Sequence, residues 1–175
     1  MVHADASDFP EGVSKKDALD QVLQAAGALF EDQRNWVCNL ANSASLLWHA
    51  FKSLPSPSNQ VNWAGFYVLD PTTPNQLILG PFQGKVACQI IPFGKGVCGN
   101  AASQGQTQLV KNVLEYPGHI ACDGDTVSEI VVPILNNSTV VGVIDIDCTA
   151  LNGFDNVDKE ALENLALLLG KSCDW

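Results

Sequence analysis

The sequence predicts an α+β domain, a central and mainly antiparallel sheet of six strands with helices packed on one face and a ligand pocket on the other. Two observations predict it. Helical periodicities stand at both ends of the chain, and between them lie six short β-rich runs broken by Gly, Pro and Asn. Only one small-residue stretch among those runs reads as a helix, whereas parallel pairing would need helices in most connections.

Residues 1–13 have no period and are expected to form a flexible N-terminal tail, leaving 14–175 as a single domain. Ser14 is a capping residue with Asp17 in the first turn, and Leu19, Val22, Leu23, Ala26, Leu29 and Phe30 follow at helical spacing. A second helix carries Trp36, Leu40, Ala44, Leu47, Trp48 and Phe51 on one side and ends at LPSPSNQ, where proline removes a donor. The strands are VNWAGFYVLD, NQLILGPFQG, ACQIIPFG, TQLV, SEIVVPIL and STVVGVIDIDC. GKGVCGNAASQG supplies the intervening helix, and VKNVLEYPGHIACDGDT, with weak periodicity, reads as a lid loop. Asp155 caps a last helix whose stripe is Val157, Leu162, Leu165, Leu168 and Leu169.

Nineteen acidic against nine basic residues give a net charge of -10, which disfavours nucleic acid and anionic membranes as partners. No apolar run approaches the roughly 20 residues of a membrane helix, and the first residues lack the blocks of a signal peptide. A cytoplasmic protein is expected. Its six cysteines would then be reduced, so redox chemistry or metal binding is a better reading than a structural disulfide framework.

In GVIDIDC, period-two geometry puts Asp145 and Asp147 on one face and Ile144 and Ile146 on the other. Paired carboxylates on a strand suit holding a proton or binding an ammonium group; the plainer reading is a wet strand end. Glu129 joins them if three residues close the hairpin at NNS, which pairs Leu135 with Thr139 and Glu129 with Asp145. That register is expected because the alternative buries an unpaired acid in the core.

Cys88, Cys98 and Cys122 fall at a strand start, a glycine-rich turn and the lid loop, settings where thiols can be exposed. Cys38, Cys148 and Cys173 read as packing or incidental thiols. His119 and Cys122 with Cys88 and Cys98 form a rival metal set, disfavoured because no paired C-x-x-C knuckle is present. GKGVCG matches G-x-G-x-x-G only literally, but N–H groups at the helix start could hold a small carboxylate. Trp63 and Tyr67 share a strand face with Gly65, either as core or as the aromatic wall of a pocket.

NWAGFY, LGPFQGKVACQIIPFGKGVCG, VLEYPGHIACD, SEIVVPI and GVIDIDC together resemble, in order, the blocks of the free methionine-(R)-sulfoxide reductases, which are built on a single GAF domain. The resemblance spans roughly residues 15–171, with no departure within the blocks. It implies Cys122 as nucleophile, Cys88 as the main resolving thiol, and Cys98 as an alternative disulfide partner of Cys122. It implies that Glu129, Asp145 and Asp147 bind and polarise the substrate and that Trp63 meets its methyl end, with Tyr67 beside it. The expected partners are free methionine-(R)-sulfoxide and thioredoxin as reductant, with a homodimer as the assembly to test; no metal or organic cofactor is expected.

Overall fold

A computed structural model describes residues 3–120 and 122–175. The helices are α1 (Lys15–Phe30), α2 (Trp36–Ser53), α3 (Gly96–Gln104) and α4 (Asn156–Ser172), and the strands are β1 (Val61–Leu69), β2 (Gln76–Gly84), β3 (Ile90–Pro92), β4 (Gln108–Val110), β5 (Ser128–Asn136) and β6 (Thr139–Cys148). The six strands form one sheet in the order β3-β2-β1-β6-β5-β4, with every adjacent pair antiparallel. Among the described residues, no helix is long and apolar enough to cross a membrane.

α1, α2 and α4 start where side chains can serve their free N–H groups. Ser14 accepts from Asp17 N, Asn35 from Cys38 N, and Asp155 from Val157 N and Asp158 N, while the Asp158 side chain accepts from Asp155 N to complete a capping box. Lys15 Nζ lies 2.9 Å from Asp155 and 2.7 Å from the fully buried Asp158, joining the start of α1 to the start of α4. α2 and α4 pack on the sheet, and α1 lies chiefly against those two helices.

Residues 3–13 do not stand off as the expected tail. His3–Ser7 form a 3-10 turn, Gln21 Nε2 of α1 donates to Ala6 O and Asp8 O, and Ala6, Phe9 and Val13 pack against the core. Apolar contact and paired backbone carbonyls hold a segment that has no sequence period. The first two residues of that expected tail lie outside the described residues.

Sheet register places everything that follows. Even-numbered residues of the central strands (Ala64 and Phe66, Ile130 and Val132, Ile144 and Ile146) are fully or almost fully buried under the helices. Odd-numbered residues face the other way, where α3 and the 111–127 connection lie. The β5–β6 hairpin corrects the expected register. Asn137 and Ser138, both at positive φ (48° and 67°), make a two-residue turn that pairs Asn136 with Thr139. A bulge then follows: Leu135 pairs with Val140 but Ile134 with Gly142, so Val141 is extra and the register shifts by one. Glu129 therefore faces Asp147 rather than Asp145, and Val131 faces Asp145. The turn alone would have turned Glu129 into the core, and the bulge restores it to the acidic face.

Candidate active site

Across the middle of the sheet, Glu129, Asp147 and Trp63 form one row of neighbours, and Val131, Asp145 and Gly65 form the next. Above these rows is a cavity of about 510 Å³ including its open mouth. Glu129, Asp145 and Asp147 line its base, and Cys88, Cys98, Cys122 and His119 line its walls. α3 brings Cys98, β3 and the turn before it bring Cys88, and the loop before β5 brings His119 and Cys122.

Cys88 and Cys122 are joined by a disulfide, with their Cα atoms 5.6 Å apart. Cys122 is exposed and Cys88 half-buried. Cys98 is a free thiol but only 4 % exposed, which corrects the expectation of an accessible cysteine: α3 turns it inward under the loop. The disulfide also occupies two of the four donors of the metal set considered from sequence. A different trio, Cys98 Sγ with carboxylate oxygens of Glu129 and Asp145, lies within 4.8 Å and could hold a metal ion.

Electrostatics here are dominated by burial. Glu129 and Asp145 are each 6 % exposed, and Asp145 Oδ1 has no hydrogen-bond partner. Loss of solvent pushes all three carboxyl groups well above the ordinary carboxylate range, reinforced at Glu129 by Asp147, at Asp145 by Glu129, and at Asp147 by Asp145. The wet strand end is thereby overturned. Burial, then the charges of Asp145 and Glu129, also pushes the Cys98 thiol well above its usual value. His119 Nε2 lies 3.6 Å from Glu129 Oε2, and burial lowers the His119 pKa as it raises that of Glu129, so both shifts work against an ion pair here.

Trp63 and Tyr67 are 3 % and 1 % exposed and lie in the second apolar cluster behind the cavity rather than among its lining residues. Trp63 stacks on Tyr67 at 5.8 Å and on Phe82 at 5.2 Å, and its Nε1 donates to Lys85 O. Phe82 fills the space that Gly65 leaves; a Cβ at position 65 would run into Phe82 Cβ and Cα. Burial, followed by the nearby Asp145, raises the Tyr67 pKa, so its hydroxyl keeps its proton.

Sequence reading missed Asp123, Thr126 and Lys95 on the cavity wall. Asp123 accepts from Asn62 Nδ2 at 3.1 Å and lies 3.5 Å from Lys85 Nζ, while Asn62 also reaches Thr126 Oγ1 at 3.3 Å, fastening the cysteine loop to β1 and the end of β2. The DGDT run carried a usable signal, because Asp123 Oδ1 accepts from Asp125 N in a turn that such residues favour. Lys95 precedes α3 without a capping side chain, and it lines the cavity together with Gly96, Val97 and Cys98 of the first turn of that helix.

Comparison with known proteins agrees with this geometry. A GAF domain family model matches residues 58–171. The free methionine-R-sulfoxide reductase of Saccharomyces cerevisiae is 58% identical over 172 residues, covering 98% of this chain and 94% of that one. The Escherichia coli protein of the same name is 41% identical over 144 residues, covering 82% and 81%. The structure of free methionine-R-sulfoxide reductase from Neisseria meningitidis in complex with its substrate superposes with a TM-score of 0.85 at 39% identity, covering 94% of this chain and 93% of that one. Sharing its fold and nearly its whole length with such relatives, the chain belongs to the GAF-domain family of free methionine-(R)-sulfoxide reductases.

Proposed function

We propose that this protein reduces free methionine-(R)-sulfoxide to methionine, with Cys122 as nucleophile and the Glu129, Asp145 and Asp147 set as the source of the proton. The carrying observation is the Cys88–Cys122 disulfide at a cavity whose base is made of proton-holding carboxyl groups. The Cys122 thiolate attacks the sulfoxide sulfur while a carboxyl group protonates the departing oxygen. The protonated oxygen then passes as hydroxyl from that sulfur to Cys122 as the bond between the two sulfurs breaks, which releases methionine and leaves Cys122 as a sulfenic acid. The Cys88 thiol then displaces water to form the disulfide, with Cys98 as the alternative partner. Thioredoxin restores both thiols, and the reducing poise this requires is that of the cytoplasm.

The same base explains a preference for a free amino acid. An ammonium group offers a buried carboxylate the counter-charge it otherwise lacks, and a peptide-bound methionine has no such group. At the other end, the helix N-terminus at Gly96 and Val97, with Lys95 beside it, suits a substrate carboxylate. Trp63 and Tyr67 act from behind the cavity by stiffening its wall.

The test is thioredoxin-coupled NADPH oxidation with free methionine-R-sulfoxide, free methionine-S-sulfoxide and a blocked methionine sulfoxide peptide. Turnover of the free R form alone is expected. Equal turnover of the peptide would remove the role given to the ammonium group, and no turnover by fully reduced protein would favour a ligand-binding GAF module instead.

A further inference from the structure

Exposed apolar residues flank the disulfide on a strongly acidic chain. Val86 is 89 % exposed, Ile90 54 % and Ile120 50 %, and each stands two residues from one of the bonded cysteines. Two residues span at most about 7 Å of chain. With the cysteine Cα atoms 5.6 Å apart, all three residues flank the bond, Ile90 and Ile120 among the residues that line the cavity and Val86 outside them. Nine large hydrophobic residues are exposed among those described, and three of them fall in the ten positions 86–90 and 120–124. An even scatter along the chain would leave these windows almost empty. Lys85 and Asp125, paired at 2.7 Å with side chains 66% and 67% exposed, add a polar edge. An apolar centre with a charged rim is the anatomy of a protein contact.

We infer that Val86, Ile90 and Ile120 form the docking surface for the protein dithiol that reduces the Cys88–Cys122 disulfide. This inference rests on the proposed reductase cycle, in which that bond must be reopened after every turnover. A second copy of the chain seated here would cover the bond, and a small anionic thiol gains little from apolar side chains on a protein of charge -10. A thioredoxin-type partner suits both facts. One of its thiolates attacks a sulfur of the Cys88–Cys122 bond, forming a mixed disulfide and releasing the other cysteine as thiolate. Its second thiol then displaces the bound enzyme cysteine, so the enzyme gains two electrons and the partner leaves as a disulfide.

Val86→Glu tests this, because Val86 does not line the cavity. Turnover is measured with reduced thioredoxin and, separately, with dithiothreitol, beside Leu167→Glu, a distant exposed leucine on α4. The expected result is a rise of about ten-fold or more in KM for thioredoxin with Val86→Glu, equivalent to about 1.4 kcal/mol. Dithiothreitol-supported turnover and KM for methionine sulfoxide stay unchanged, and Leu167→Glu behaves as the parent protein. An unchanged KM for thioredoxin, or an equal rise in Leu167→Glu, would overturn the docking surface. Loss of a wild-type dimer in Val86→Glu by sedimentation, with thioredoxin kinetics intact, would assign the patch to a second copy and overturn it too. If the parent turns over with dithiothreitol but not thioredoxin, the recycling step itself fails, and absence of turnover with both defeats the reductase reading.

Discussion

Along β6, Ile144 and Ile146 are fully buried and Asp145, between them, is 6 % exposed, yet the two faces of the strand use burial in opposite ways. On the helix side, removal from water is favourable in itself, and Ile144 and Ile146 pack with Phe66, Ala64 and the leucines of α2 and α4. On the cavity side the same removal penalises charge and pushes the carboxyl groups toward holding their protons. A strand of alternating Ile and Asp thus builds a stabilising face and an acidic cavity face with the same backbone.

The sharpest test of that division is Asp145→Asn. Loss of a carboxyl group from the cavity base is expected to lower kcat/KM for methionine-(R)-sulfoxide by about 10²–10⁴-fold, the usual range for a positioned acid. Stability should move the other way. A carboxyl group whose pKa is raised by folding binds more protons folded than unfolded, so its stabilisation is complete below the unfolded pKa and is lost as pH rises toward the folded one. The parent should therefore lose stability as pH rises above the ordinary carboxylate range, by about 1.4 kcal/mol per pH unit for each proton that the folded protein keeps and the unfolded chain has released. Asp145→Asn should flatten that slope and gain on the parent at pH 8, as read by urea unfolding across the range. A steeper slope in the variant would mean that Asp145 is ionised in the fold.

Ile146→Ala probes the other face. Its expected effect is a loss of about 2–5 kcal/mol in unfolding free energy, with no change of sign between pH 5 and pH 8. KM for methionine sulfoxide should stay close to that of the parent while the protein is folded. A large change in KM with little loss of stability would show that the two faces are not separable in this way.

Much of this division was legible in the chain. The stripes of α1, α2 and α4, the caps at Ser14 and Asp155, and the alternation in GVIDIDC each encode one local geometry, and local geometry is what periodicity reports. The Glu129 register was less accessible, because its face depends on a turn at Asn137–Ser138 and on the extra Val141, and two one-residue errors compensate. Cys98 also misled, since a glycine-rich setting does not tell which side of α3 meets the sheet. Trp63 and Tyr67 could be core or wall from sequence alone; Phe82, brought by the neighbouring strand, decides that their ring faces stack. The packing of Ala6, Phe9 and Val13 likewise depends on partners distant in sequence.

The central claim is that Cys122 takes the oxygen and Cys88 closes the disulfide over the acidic base. It is tested most directly by mixing fully reduced protein with excess free methionine-(R)-sulfoxide, without reductant, and counting methionine and thiols. One methionine per chain with formation of the Cys88–Cys122 bond is predicted, and none from Cys122→Ser. Methionine release by Cys122→Ser, or release by the parent with Cys88 and Cys122 both still free, would contradict it.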